Sequence, residues 1–422
     1  MRFSGFACVR CGAEFPTGLR IDSNGCPSCF DVAPSNVRVI YAAGEEGVSG
    51  TAPSAHRLSS LWRYADALPC AAENAVSLGE GGTPLISIGR IGTQLGLPNL
   101  FIKDESRNPT WSHKDRFSTV AVSMARLAGA NVLATASSGN GGASLAAYAA
   151  RAGLRCVVVT FASAAGPMMA QVRAYGATVL SMAQKLERWP VIAHGVEKFG
   201  WFPASPFNAP VVGSHPLGIE GYKTLAYEIV DQLVGIAPDW CVMPVCYGDA
   251  LAGLWYGFRE LFDRGRIRHL PRLAAAEAHG SLQRALASDS DRIPDVRAKF
   301  DSLAVSIGTT RSAFQALQAL RQSNGVAVPI DNRGLAVLQR QLASTEGLFP
   351  EVTSVTPLAA VRALRNRGVM RESDRVVIVT TAGGLKDVVA AGASVEGPIF
   401  QSADEAIAQL GAFKTSTSSS LT

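Results

Sequence analysis

Two short stretches decide the reading of this chain: Lys103-Asp104-Glu105-Ser106-Arg107-Asn108-Pro109-Thr110-Trp111-Ser112-His113-Lys114-Asp115-Arg116 and, 23 residues after Lys114, Ser137-Ser138-Gly139-Asn140-Gly141-Gly142. A lysine amine can hold a carbonyl-bearing cofactor as a Schiff base. An asparagine in a glycine loop at a strand-to-helix turn can wrap the ring of that cofactor, because short residues let backbone amides approach closely. Alone, a lysine at a helix start is ordinarily a solvated side chain. The pair together points to cofactor chemistry.

Outward from these stretches, apolar runs alternate with amphipathic helical segments. The strand candidates are Leu100 to Lys103, Asn131 to Ala136, Leu154 to Phe161, Thr178 to Met182, Trp240 to Val245, Leu273 to Ala276, Leu303 to Ile307 and Val376 to Thr380. Helical patterns fall at Phe117 to Leu127, Ala143 to Ala152, Met168 to Tyr175, Gly221 to Leu233, Ala250 to Phe262 and Gly334 to Leu342. Such alternation predicts an α/β fold with helix-covered, mainly parallel sheets. Open sheets of this kind bind ligands at the carboxyl ends of their strands, where loops lead into helix N-termini. Ser137 to Gly142 and Cys246 to Ala250 both lie at such points.

The 422 residues are 47% hydrophobic and 17% charged, an ordinary globular composition. The net charge of +5 is scattered without an aromatic-basic stripe, which argues against nucleic-acid binding. No apolar run reaches membrane-spanning length and the N-terminus lacks a signal-like apolar core, so a cytoplasmic protein is expected. Residues 1–40 carry Cys8-x-x-Cys11 and Cys26-x-x-Cys29, separated by 14 residues, with Gly12 and Gly25 at the turns. Two such knuckles can bring four thiolates to one tetrahedral ion, so a small zinc ribbon with a structural site is expected. Residues 391–422 read as a C-terminal extension whose Ser/Thr-rich end, from Lys414, is a flexible tail.

Six blocks in order resemble the threonine synthase branch of the fold type II enzymes that use pyridoxal phosphate (PLP), which share the tryptophan synthase β-subunit-like fold. These are Ser77-Leu78-Gly79-Glu80-Gly81-Gly82-Thr83-Pro84-Leu85, the Lys114 block, Ser138-Gly139-Asn140, Glu220-Gly221-Tyr222-Lys223-Thr224, Glu346-Gly347, and Thr380-Thr381-Ala382-Gly383-Gly384-Leu385-Lys386-Asp387. The resemblance covers about residues 60–390 and implies two lobes, the smaller at roughly 115–215, and a homodimer. It implies that Lys114 holds PLP and moves protons, that Asn140 meets the ring oxygen, and that Thr381, or Thr380 one residue away, faces the ring nitrogen. By the same resemblance the cofactor phosphate lies on Cys246, Tyr247, Gly248, Asp249 and Ala250, and a small amino-acid substrate on Ser137, Ser138, Gly139 and Gly141. A lysine that must lose its proton is expected beside positive charge that lowers its pKa.

The chain departs from the family where the phosphate of phosphohomoserine is held. Gly218 stands in place of the arginine before Glu220-Gly221, Gly141 in place of a threonine, and Tyr247 in place of an asparagine. These changes argue against phosphohomoserine and for elimination or replacement at the β or γ carbon of another small α-amino acid. His215, His113, Arg311 and Lys223 are candidates to supply charge from new positions. An amino-acid dehydratase or ammonia-lyase is the nearest alternative, and a noncatalytic PLP-binding protein the alternative from another class.

Overall fold

The computed structural model describes residues 3–20, 23–41, 60–162, 164, 166–388 and 399–413. The tail expected from Lys414 onward lies outside them. Two compact units separate near residue 391, and the second contains the helix Ala403–Phe413.

Within the first unit, the larger sheet has six strands in the order Val326–Pro329, Arg272–Glu277, Trp240–Pro244, Val376–Thr380, Leu100–Asp104, Leu85–Ser87. All pairs are parallel except the last, where Leu85–Ser87 runs antiparallel to Leu100–Asp104. Trp240–Pro244 and Val376–Thr380 are buried along their whole length, as central strands covered by helices on both faces must be. A second sheet of four parallel strands runs Thr178–Met182, Arg155–Phe161, Val132–Ala136, Phe202–Pro203. The helix Asn140–Ala152 buries its alanine-rich face in the main core, where small side chains permit close packing.

The N-terminal segment forms an antiparallel sheet ordered Glu14–Pro16, Gly5–Cys8, Val37–Ile40. Its apolar side packs with Trp62, Leu68, Val120 and Met124 in a shared core cluster.

Leu303 to Ile307, expected as a strand, is a short 3-10 turn over Val305–Ile307. Leu303 and Val305 are exposed while Ala304 and Ile307 are buried, so the run has no two faces to bury. The place beside Arg272–Glu277 is taken by Val326–Pro329, a strand whose shortness hid it in the sequence.

Candidate active site

A cavity of about 250 Å³ opens where the two parallel sheets face each other. Lys114, Ser137, Ser138, Gly139, Asn140, Gly141, Cys246, Tyr247, Gly248, Asp249, Ala250 and Thr381 all line it. Residues far apart in the chain, from Lys114 to Thr381, thus converge on one space.

Lys114 begins the helix Lys114–Leu127. Its start is fixed from both sides. The preceding His113 donates its amide to Thr381 O at 2.9 Å, and Ser112 bridges to Ala382, tying the lysine to the end of the central strand. Two residues on, Arg116 is fully buried with Glu105 at 2.6 Å and Glu228 at 2.8 Å, and Glu228 also takes Lys103 at 2.7 Å. Two cations and two anions in one dry cluster satisfy each other.

The Lys114 ammonium lies 5.8 Å from the centroid of the Tyr222 ring. Burial pulls its pKa down, but Tyr222, Asp249 and Cys246 push it up and prevail, so the amine is held above the ordinary lysine value. This reverses the expectation of positive neighbours: the groups facing Lys114 are phenol, carboxylate and thiol. The adjoining half-buried His113 is driven well below the usual histidine range by desolvation and by the Lys114 charge.

The Ser137–Gly142 loop is closed by its own serine, whose Oγ accepts the amides of Gly139 at 3.3 Å and Gly142 at 2.9 Å. Asn140 opens the next helix and donates Nδ2 to Glu351 Oε2 at 3.1 Å, while its buried Oδ1 has no partner among the described residues. Glu351 lines the cavity and is 3% exposed, and burial pushes its pKa up to about 7 against the opposing Asn140 hydrogen bond. Nothing in the sequence marked it, since it stands alone before the helix Val352–Asn366.

Gly248 has a left-handed backbone (φ +93°) and lies so close to Ala316 that an added Cβ would sit 2.2 Å from its Cβ, so only glycine makes this turn. The helix Asp249–Asp263 follows. The Asp249 carboxylate is engaged elsewhere: Oδ1 accepts Ser214 N at 3.0 Å and Gln315 Nε2 at 2.5 Å, and Oδ2 accepts Ser214 Oγ at 2.6 Å. The amides of this helix start therefore remain available to an anion.

Thr381 and Thr380 are told apart by the geometry. Thr381 lines the cavity and its hydroxyl is 2.9 Å from Ser354 Oγ. Thr380 turns to the opposite side, where its hydroxyl donates to Lys103 O at 3.3 Å.

Of the four candidate sources of charge, His113 lines the cavity and the other three stand otherwise. His215 is buried, stacked on Phe202 at 4.4 Å and neutral, with burial lowering its pKa to about 3. Lys223 is consumed by Glu220 and Glu260, at 2.6 and 2.7 Å, and neither it nor Arg311 lines the cavity. Two further residues line it, Arg188 at the start of the helix Arg188–Phe199 and Lys185 in the turn three residues before it. Their three-residue spacing at a helix start was the available signal. At Gly218 no side chain fits, because the Phe117 ring lies 2.4 Å from where its Cβ would stand.

In the N-terminal sheet the four sulfurs of Cys8, Cys11, Cys26 and Cys29 lie within 4.8 Å of one another. Cys8 and Cys29 are 3.7 Å apart and Cys11 and Cys26 3.9 Å. Among the described residues, no helix is long and apolar enough to cross a membrane.

Comparison with known proteins agrees with this geometry. The family described as pyridoxal-phosphate dependent enzyme matches residues 76–382. A threonine synthase of Methanocaldococcus jannaschii is 32% identical over 397 residues, covering 93% of this chain and 95% of its own. A threonine synthase of Methanosarcina acetivorans is 33% identical over 388 residues, covering 90% and 91%. Among solved structures, the processed form of a threonine deaminase from Solanum lycopersicum shares the fold, with a TM-score of 0.60 at 20% identity over 71% of this chain and 79% of that one. The chain therefore belongs to the pyridoxal-phosphate-dependent enzymes of fold type II, in their threonine synthase-like branch.

Proposed function

We propose that the protein eliminates or replaces a substituent at the β or γ carbon of a small α-amino acid, with Lys114 as the cofactor-bearing lysine. The observation that carries this reading is the convergence of Lys114, the Ser137–Gly142 loop, the Gly248 turn and Thr381 on one cavity. The residues fit PLP: Asn140 offers a buried unpaired Oδ1, and the Gly248 turn leads into free helix amides with Asp249 turned aside. When bound, PLP supplies an electron sink that eases bond breaking at the carbons of the amino acid.

The chain's own residues divide the remaining work. The Lys114 amine takes a proton from the α carbon and returns one later, which requires it to be neutral at that moment. Backbone amides of the Ser137–Gly142 loop receive the substrate carboxylate, and the Ser137 hydroxyl holds that loop in shape. Thr381, braced by Ser354, would offer a hydroxyl to the ring nitrogen of bound PLP, and a hydroxyl would not keep that nitrogen protonated. This favours elimination and replacement over transamination. Phe117, Leu145, Tyr222 and Ile307 form an apolar wall that excludes water.

Phosphohomoserine is disfavoured because Phe117 fills the space that a charged residue at position 218 would need. A buried phosphate lacking that partner forgoes a charge-assisted hydrogen bond of about 1.5–3 kcal/mol. The test is a substrate panel of phosphohomoserine, phosphoserine, serine, threonine and diaminopropionate, read as phosphate, ammonia and keto acid. Turnover of a β-substituted substrate in preference to phosphohomoserine is expected, and rapid conversion of phosphohomoserine to threonine would refute the assignment. A protein that binds PLP and turns over none of these would favour the noncatalytic reading.

The four-cysteine cluster is proposed as a structural zinc site. A tetrahedron with Zn–S near 2.3 Å has edges of roughly 3.8 Å, which the two shortest sulfur pairs match. Metal analysis of the protein and of Cys11→Ser tests it. A homodimer, implied by the family resemblance, is tested by sedimentation.

A further inference from the structure

Arg188 is 6% exposed, yet it forms no ion pair among the described residues. Its one side-chain hydrogen bond there is from Nε to Lys185 O at 2.8 Å, and its guanidinium stands 5.5 Å from the centroid of the Phe161 ring. Burial lowers its pKa, with Tyr247 the opposing influence, and no carboxylate faces it. Buried charge is normally paired, and an arginine that lines a binding cavity without an acid is a partner in waiting for an oxyanion. Lys185 brings a second positive charge to the same cavity, near Cys246. Trp189 and Tyr247 line it too and limit the width of what can enter.

Arg188 and Lys185 lie within electrostatic reach of Tyr247 and Cys246, in the turn assigned to the cofactor phosphate, but they come from a different element. The helix Arg188–Phe199 packs on the four-stranded sheet, through strands Val132–Ala136 and Arg155–Phe161. The Gly248 turn instead follows the central strand Trp240–Pro244 of the six-stranded sheet. Residues of both the smaller-sheet helix and the Gly248 turn line the one cavity.

Resting on the proposed lyase or synthase reading, we infer that Arg188, assisted by Lys185, is a specificity-determining anchor for an oxyanion on the substrate side of the cavity. The ligand is an amino acid whose side-chain substituent is anionic, or an anionic nucleophile that replaces that substituent. The shared chemistry is a small oxyanion gripped by a guanidinium from the smaller sheet. The guanidinium makes two parallel hydrogen bonds to it, stabilising the departing or arriving group where Gly218 cannot.

The experiment compares PLP-loaded wild type, Arg188→Gln and Arg188→Lys. Calorimetry measures the binding of phosphoserine and serine, turnover is followed on both, and serine is also assayed with sulfite as nucleophile. PLP occupancy is read from absorbance. Expected for Arg188→Gln is a loss of roughly 10- to 100-fold in phosphoserine binding, or in apparent sulfite affinity, with serine binding changed less than about 2-fold. The lysine variant recovers part of the loss. A phosphoserine effect alone places the oxyanion on the substrate, and a sulfite effect alone places it on the nucleophile. Loss of PLP occupancy with substrate affinity unchanged would assign Arg188 to the cofactor phosphate and overturn the inference. So would equal losses on serine and phosphoserine, or wild type that binds neither oxyanion. If phosphoserine binds through Arg188 but nothing is released, the anchor stands and the catalytic reading falls. Turnover of serine with phosphoserine and sulfite both indifferent to Arg188 gives the converse.

Discussion

Gln315 donates its amide to Asp249 at 2.5 Å while its carbonyl accepts from Asn36 at 3.2 Å, so one side chain joins the N-terminal cysteine-bearing sheet to the turn assigned to the cofactor phosphate. Asn36 also donates to Ser214 O at 3.0 Å, and Ser214 is the other donor to Asp249. The four residues form a closed ring of hydrogen bonds that keeps the Asp249 carboxylate away from the helix start. Gln315→Ala removes a hydrogen bond to a charged group, worth about 1.5–3 kcal/mol. The expected result is weaker PLP binding by roughly 10-fold or more, measured by spectroscopic titration of the apoprotein. If the proposed zinc is held by the four cysteines, its chelation should weaken PLP binding in wild type and have less further effect in Gln315→Ala.

Lys114 leads to a prediction about pH. Its pKa is raised, so the amine is protonated through the neutral range and its reactive fraction grows as pH climbs toward that value. The rate of PLP attachment to apoprotein should therefore increase with pH across the alkaline range. Tyr222→Phe removes a phenol that holds the proton and should move this profile to lower pH. Borohydride should fix the cofactor to Lys114, and Lys114→Ala should abolish the adduct. An adduct on another lysine would refute the assignment.

Glu351 titrates near neutrality because it is buried, and it touches Asn140. A carboxyl raised to about 7 in this way is neutral below that pH and anionic above it. The absorbance of bound cofactor should then follow a transition near neutral pH that is absent in Glu351→Gln. Glu351→Ala leaves the Asn140 amide without its acceptor and should also weaken cofactor binding, by about 1–3 kcal/mol.

Gly218→Arg forces a side chain into the Phe117 ring and should lower stability by about 1–3 kcal/mol, read as a drop in melting temperature. Phe117→Gly in the same chain removes the collision and should restore most of the loss.

Much of this arrangement was legible in the sequence where chemistry sits in contiguous motifs. The alternation of strands and helices carried the α/β reading, and the blocks around Lys114, Asn140, Gly248 and Thr381 prove to line one cavity. What stayed hidden depends on long-range packing. Arg188, Glu351 and Gln315 are single residues on separate segments, and their importance comes from what stands opposite. The Lys114 environment was misjudged for the same reason: positive surroundings were expected because the amine must lose its proton, but Tyr222 and Asp249, distant in the chain, set the field. Leu303 to Ile307 failed as a strand because apolar content does not reveal which strand claims the sheet edge.

Phe117 and Gly218 also bear on how such an enzyme diverges. The ring occupies the volume that an arginine would need, and the glycine is what lets the ring lie there. An arginine arriving first meets a collision, and a loss of the ring arriving first leaves a hole in the wall. Neither order offers a smooth single step, so this pair acts as a ratchet that resists the return of an arginine to position 218.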